Sequence, residues 1–160
     1  MNRAALISGL GLAGLVVAGT IIWSISDDKG VAAMEEIAGD VALGKAIYDD
    51  YCAACHGANL EGQPDWKSPG PDGRLPAPPH DETGHTWHHP DSMLFAYTKL
   101  GGSAVMAEQG ITFDSGMPGF GDQLSDEEIQ AVIAYLKSTW PVPVQKMQAA
   151  RTAADEKTGG

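Results

Sequence analysis

Cysteine is nearly absent. Cys52 and Cys55 are the only two in 160 residues, too few for a disulfide framework or a four-thiolate zinc site. Basic residues are scarce as well: 10 Lys and Arg stand against 21 Asp and Glu, a net charge of -11. Arg3 is the only charge before Asp27, so the remainder carries -12 (-11 minus the +1 of Arg3). Such a surface repels polyanions, which excludes nucleic acid as a partner; it bears on solubility and steering rather than fold. No segment alternates apolar and polar residues well enough to predict a strand, and no internal repeat is visible. The expected class is all-α.

Charge is missing altogether from residues 4–25. As a helix these 22 positions rise roughly 33 Å, enough for a hydrocarbon core of about 30 Å. Arg3 before the run and Asp27-Asp28 after it place residues 1–3 inside and the domain outside. A cleaved signal peptide is the competing reading, but its apolar core is normally about 7–15 residues, and Trp23-Ser24-Ile25-Ser26 makes a poor cleavage site. Gly9-Leu10-Gly11-Leu12-Ala13-Gly14 fits a nucleotide-loop pattern but lies inside an apolar run with no strand before it. Ala5, Gly9 and Ala13, with Gly14 and Ala18 one face over, form a small-residue stripe suited to another membrane helix, unless glycine is merely frequent in such helices. Residues 26–39 read as a linker, with a root-mean-square span of roughly 20 Å as coil and at most about 50 Å extended.

Three helices announce themselves. Asp40 can cap one over about 41–52, with Gly44, Ile47, Tyr48 and Tyr51 near one face; a mid-helix glycine costs up to roughly 1 kcal/mol against alanine and suggests a close backbone neighbour. A second starts at Asp91 after Pro90 and stops at Gly101-Gly102. The third opens on the capping box Ser125-Asp126-Glu127-Glu128, continues through Ile129, Val132, Ile133, Leu136 and Trp140, and is closed by Pro141 and Pro143. Residues 141–160 read as a polar tail, frayed helix around 149–154 and disordered at the end.

The two thiols stand in Cys52-Ala53-Ala54-Cys55-His56, the C-x-x-C-H pattern of covalent haem attachment. Thiols three apart at a helix end point the same way, one to each vinyl group of a flat macrocycle, and the next residue brings an imidazole under the iron. A thioredoxin-like pair belongs at the start of a helix after a strand, and a zinc site would have to recruit two distant histidines.

The surrounding residues resemble the class I c-type cytochromes: Gly44-Lys45-Ala46-Ile47-Tyr48 leading into Cys52–Gly57, then Gly116-Met117-Pro118-Gly119-Phe120, then the helix from Ser125. The resemblance spans about 40–140 and implies a small all-helical domain holding one covalent haem c, bound by Cys52 and Cys55 and ligated by His56. In that family the first and last helices cross closely, which suits Gly44 and Tyr48 facing Tyr135 or Leu136. It also implies Met117 as the second axial ligand, with Met106 the rival and Met93 and Met147 as ordinary packing. A thioether raises the potential relative to a second imidazole. The family's proline carbonyl on the proximal histidine falls to Pro78, Pro76 or Pro79.

The loop between Gly57 and Pro90 is dense in proline, glycine and histidine and lies outside the resemblance. His80, His85, His88 and His89 are open to several readings: turn packing over a haem edge, an axial ligand in place of Met117, or copper or zinc. Trp87 and Arg74 are candidate propionate partners. The expected function is a single-electron carrier anchored in a bacterial cytoplasmic membrane with its haem domain in the periplasm. It would pass electrons between a quinol–cytochrome c reductase and a cytochrome oxidase, or sit within such an assembly; it is not expected to be an enzyme. The alternative is a peroxidase-like enzyme or a redox or gas sensor with an open iron position.

Overall fold

The computed structural model describes residues 33, 34, 37 and 40–159. The expected anchor over 4–25 and nearly all of the 26–39 linker lie outside them. The chain divides into two compact units, Met1–Ala38 and Gly39–Gly160, and the second holds the site. Among the described residues every regular element is helical, and no helix is long and apolar enough to cross a membrane.

The order is α1 (helical over 40–51), α2 (Ala53–His56), a 3-10 turn (Thr86–His88), α3 (Asp91–Leu100), α4 (Gly102–Glu108), α5 (Asp126–Thr139) and α6 (Val142–Thr158). Asp40 is already helical, so it does not cap α1. The face of α1 that carries Ile47 and Tyr48 is buried against Ile129, Val132, Ile133 and Leu136 of α5. Gly44 makes that crossing possible: a Cβ there would overlap the backbone of Ala131 and Val132. The Gly44 contact lies about a turn earlier on α5 than Tyr135 or Leu136, and Tyr48 reaches Tyr135, with ring centroids 5.5 Å apart.

The capping box of α5 is formed in both directions, Glu128 N–H to Ser125 Oγ at 3.2 Å and Ser125 N–H to Glu128 Oε2 at 2.8 Å. Trp140 then leaves the helical region (ψ 146°), as a residue before proline tends to.

The tail is the main correction. Residues 141–160 are neither frayed nor disordered up to Thr158; Pro141 and Pro143 close α5 and also begin α6, where a missing N–H costs nothing. The helix docks by polar contacts that hydrophobic periodicity does not register. Gln148 is fully buried, its amide nitrogen 2.6 Å from Asp91 Oδ1 and 3.3 Å from the His89 carbonyl. Ser92 donates to Asp155 at 2.6 Å. α4 is a second departure: Gly101, at φ 85°, ends α3 but the chain re-enters a helix at once.

Candidate functional site

A cavity of about 910 Å³ opens among α1, α2, α3, α5 and the two long loops, and Cys52, Cys55, His56 and Met117 all line it. The C-x-x-C-H residues form their own short turn of helix. Cys52 N–H still bonds to Tyr48 O at 2.9 Å, continuing α1, while Cys55 and His56 N–H return to Cys52 O at 3.1 and 2.9 Å. Gly57 (φ 84°) ends the turn.

Cys52 is half-buried and Cys55 exposed. Burial, with Cys55 nearby, pushes the Cys52 thiol up to about 11. A redox-active C-x-x-C pair works by the opposite shift, a depressed thiol at a helix start. Cys52 therefore lacks the depressed thiol of a redox pair.

His56 is buried, and its Nδ1 lies 2.8 Å from the Pro78 carbonyl. A carbonyl only accepts, so Nδ1 carries the proton and Nε2 keeps its lone pair for a metal. Burial holds the imidazole below its ordinary range, with the Pro78 bond opposing the shift. Of the three candidate prolines, only Pro78 makes this contact. Its placement comes from a pairing of distant segments: Gln63 N–H to Ala77 O and His80 N–H to Leu60 O, each at 2.8 Å. Gly62 (φ 67°) lets the strands of chain touch, since a Cβ would overlap the Pro78–Pro79 peptide.

Beside His56 stands His80, ring on ring, centroids 4.0 Å apart and planes 22° from parallel. Its Nδ1 is 2.8 Å from the Thr86 hydroxyl, and its carbonyl accepts Trp140 Nε1–H at 2.7 Å. Burial, then the neighbouring His56 and His85, hold it well below the ordinary histidine range.

Met117 belongs to a loop tied through its backbone. Gly102 N–H bonds to Met117 O at 3.2 Å, Phe120 N–H to Thr98 O at 2.9 Å and Gly121 N–H to Lys99 O at 3.0 Å. Ser115 N–H donates to Ser103 Oγ at 2.9 Å. A Cβ at Gly119 would overlap the Leu100 carbonyl, and one at Gly101 would overlap Gly119 N. Met93 also lines the cavity, whereas Met106, on α4, does not.

Trp87 does not line the cavity. Its indole N–H donates to Glu82 O at 3.3 Å, and its ring lies 3.7 Å from that of His88. Arg74 does line it and pairs with Asp114 at 2.9 Å. Trp66, which sequence reasoning missed, stacks on His85 at 5.3 Å in the same wall; nothing local marks it beyond being an aromatic in a Pro/Gly-rich loop. Among the described residues no group of three or more His, Cys, Asp or Glu is arranged to hold a metal ion, so the histidine loop shows no copper or zinc cluster.

Two thiols, a buried imidazole with a free Nε2, and a largely apolar cavity of this size are a donor set and space that suit a haem. A family model described as Cytochrome c matches residues 41–140. Neither a curated protein nor a solved structure matches the chain. With that match over more than half its length, the chain belongs to the cytochrome c family as a class I c-type cytochrome, with covalent haem c and haem-based electron transfer as its chemistry.

Proposed function

We propose that this protein is a single-electron carrier whose haem is closed on both sides, with thioether bonds from Cys52 and Cys55, His56 and Met117 as axial ligands, and the Pro78 carbonyl orienting His56. The bound group supplies one-electron iron chemistry. Of the chain's own residues, Cys52, Cys55, His56 and Met117 would hold it, and the largely apolar lining of the cavity would keep water away and so help to set its potential. One observation carries the reading: His56 and Met117 line the same cavity, each held by hydrogen bonds from elements distant in sequence. A thioether ligand raises the potential, in keeping with a carrier that accepts from a quinol-oxidising complex and donates to a terminal oxidase.

Cytochrome c domains typically work outside the cytoplasm. We place this one at the outer face of a bacterial cytoplasmic membrane, tethered by residues 4–25 through the short 26–39 linker, close enough to serve as a haem subunit of a larger assembly. The test is spectroscopic. The ferric protein should show a weak near-infrared band that disappears in Met117→Ala, and the reduced protein should bind carbon monoxide slowly. Rapid binding by the reduced wild type would point instead to an open-site enzyme or sensor. Co-purification in mild detergent separates a shuttle from a fixed subunit.

A further inference from the structure

The Pro78 carbonyl holds His56 by one edge. A single hydrogen bond to Nδ1 fixes the direction of an imidazole but leaves it able to turn about the line through its two nitrogens. That rotation matters, because the angle between ring plane and porphyrin nitrogens decides which iron d orbital the imidazole π system meets. A plane against the ring face restrains it further than the side-chain torsions alone.

His80 is in that place. Its ring lies against His56 with centroids 4.0 Å apart and 22° between planes. It is fixed in its turn at Nδ1 by Thr86 Oγ1 (2.8 Å), at its N–H by Leu60 O (2.8 Å) and at its carbonyl by Trp140 Nε1 (2.7 Å). Thr86 is buried, and Tyr48 meets the His80 ring edge-on at 6.2 Å. An aliphatic side chain would fill the space without the cost of burying an imidazole, but it would not present a plane. We propose that His80 is a positioning residue: it sets the rotation of the His56 ring by stacking on it, and through that ring it tunes the electronic state and potential of the haem iron. This rests on the assignment of His56 as an axial ligand.

The test uses the full-length holoprotein and reads the haem-methyl proton shifts and g-anisotropy of the ferric form together with the midpoint potential. His80→Leu should redistribute the methyl shifts and move the potential. His80→Phe, which keeps a flat ring against His56, should retain the wild-type shift pattern. Thr86→Val, which frees the His80 ring without emptying its site, should change the pattern in the direction of His80→Leu, but less. An unchanged pattern in His80→Leu, or the same altered pattern in His80→Phe, overturns the proposal. If neither His80 variant folds, an unchanged Thr86→Val overturns it. Failure of the axial assignment shows separately, in a wild-type spectrum that lacks histidine–methionine ligation before any variant is made.

Discussion

The two walls of the haem cavity are built by different means. On the His56 side the chain is held by packed side chains: a buried imidazole bonded to a carbonyl, a half-buried second imidazole stacked on it, and a tryptophan N–H closing the layer. On the Met117 side the loop is held by main-chain bonds to the end of α3 and the start of α4, which require glycine at 101 and 119. A packed side-chain network opens only with the core, whereas a loop tied by a few main-chain bonds can open locally. The Met117 side should therefore yield first under denaturant, while the covalently held His56 side remains.

The largest effect should come from breaking the glycine contact. Gly101→Val forces a β-branched residue to φ 85° and drives its Cβ into Gly119 N and the Pro118 carbonyl carbon, so a loss of several kcal/mol is expected. The near-infrared band should vanish and carbon monoxide bind rapidly, yet the haem should stay attached through Cys52 and Cys55. Haem lost together with the band would show that the two walls are not independent.

Gly62→Ala attacks the opposite wall. A Cβ there, at φ 67°, meets the Pro78–Pro79 peptide and should cost about 2 kcal/mol. It pulls the Pro78 carbonyl away from His56. A ligating imidazole that donates its N–H to an oxygen is more basic and favours the ferric ion, so the potential should rise while the methionine band survives. A fall in potential would contradict this account of the Pro78 bond.

How much of this was legible depends on range. The starts of α3 and α5 and their stops follow from local signals, Pro90, Gly101, the Ser125 box and Pro141, each acting within one turn. Cys52, Cys55 and His56 declare themselves by spacing, and Gly44 by being a glycine where a helix should not carry one. α6 stayed hidden because Gln148, Thr152 and Asp155 dock it by polar contacts. α4 was missed because Gly101 reads as an end although Gly102 begins a new helix. Pro78 could not be told from Pro76 and Pro79, nor could Trp87 be placed off the cavity or Trp66 found. All depend on the pairing of 60–63 with 77–80, a long-range closure that no local pattern reports.

A milder change sharpens the comparison. Ser103→Ala removes the acceptor of the Ser115 N–H, an exposed bond worth about 1 kcal/mol. The Met117 loop should open more often, read as a severalfold faster carbon monoxide reaction, with an unchanged midpoint of global unfolding. A matching fall in global stability would mean that the loop opens only with the core.

The smallest effect separates the walls by pH. His80 is held well below the ordinary histidine value of 6.5, chiefly by burial. The unfolded chain takes up a proton near pH 6.5 that the folded protein refuses, so protonation favours unfolding. Its contribution to stability is thus intact above that pH and lost as pH falls below it. His85 and His89, shifted the same way by burial, add to the trend, whereas no histidine lies in the Met117 loop. The denaturation midpoint should drop between pH 7.5 and 5.5, and by less in His80→Phe, which has no proton to take up. The carbon monoxide rate, set by the opposite loop, should hold nearly constant over the same range; if it climbs with acid as steeply as stability falls, the walls open as one unit.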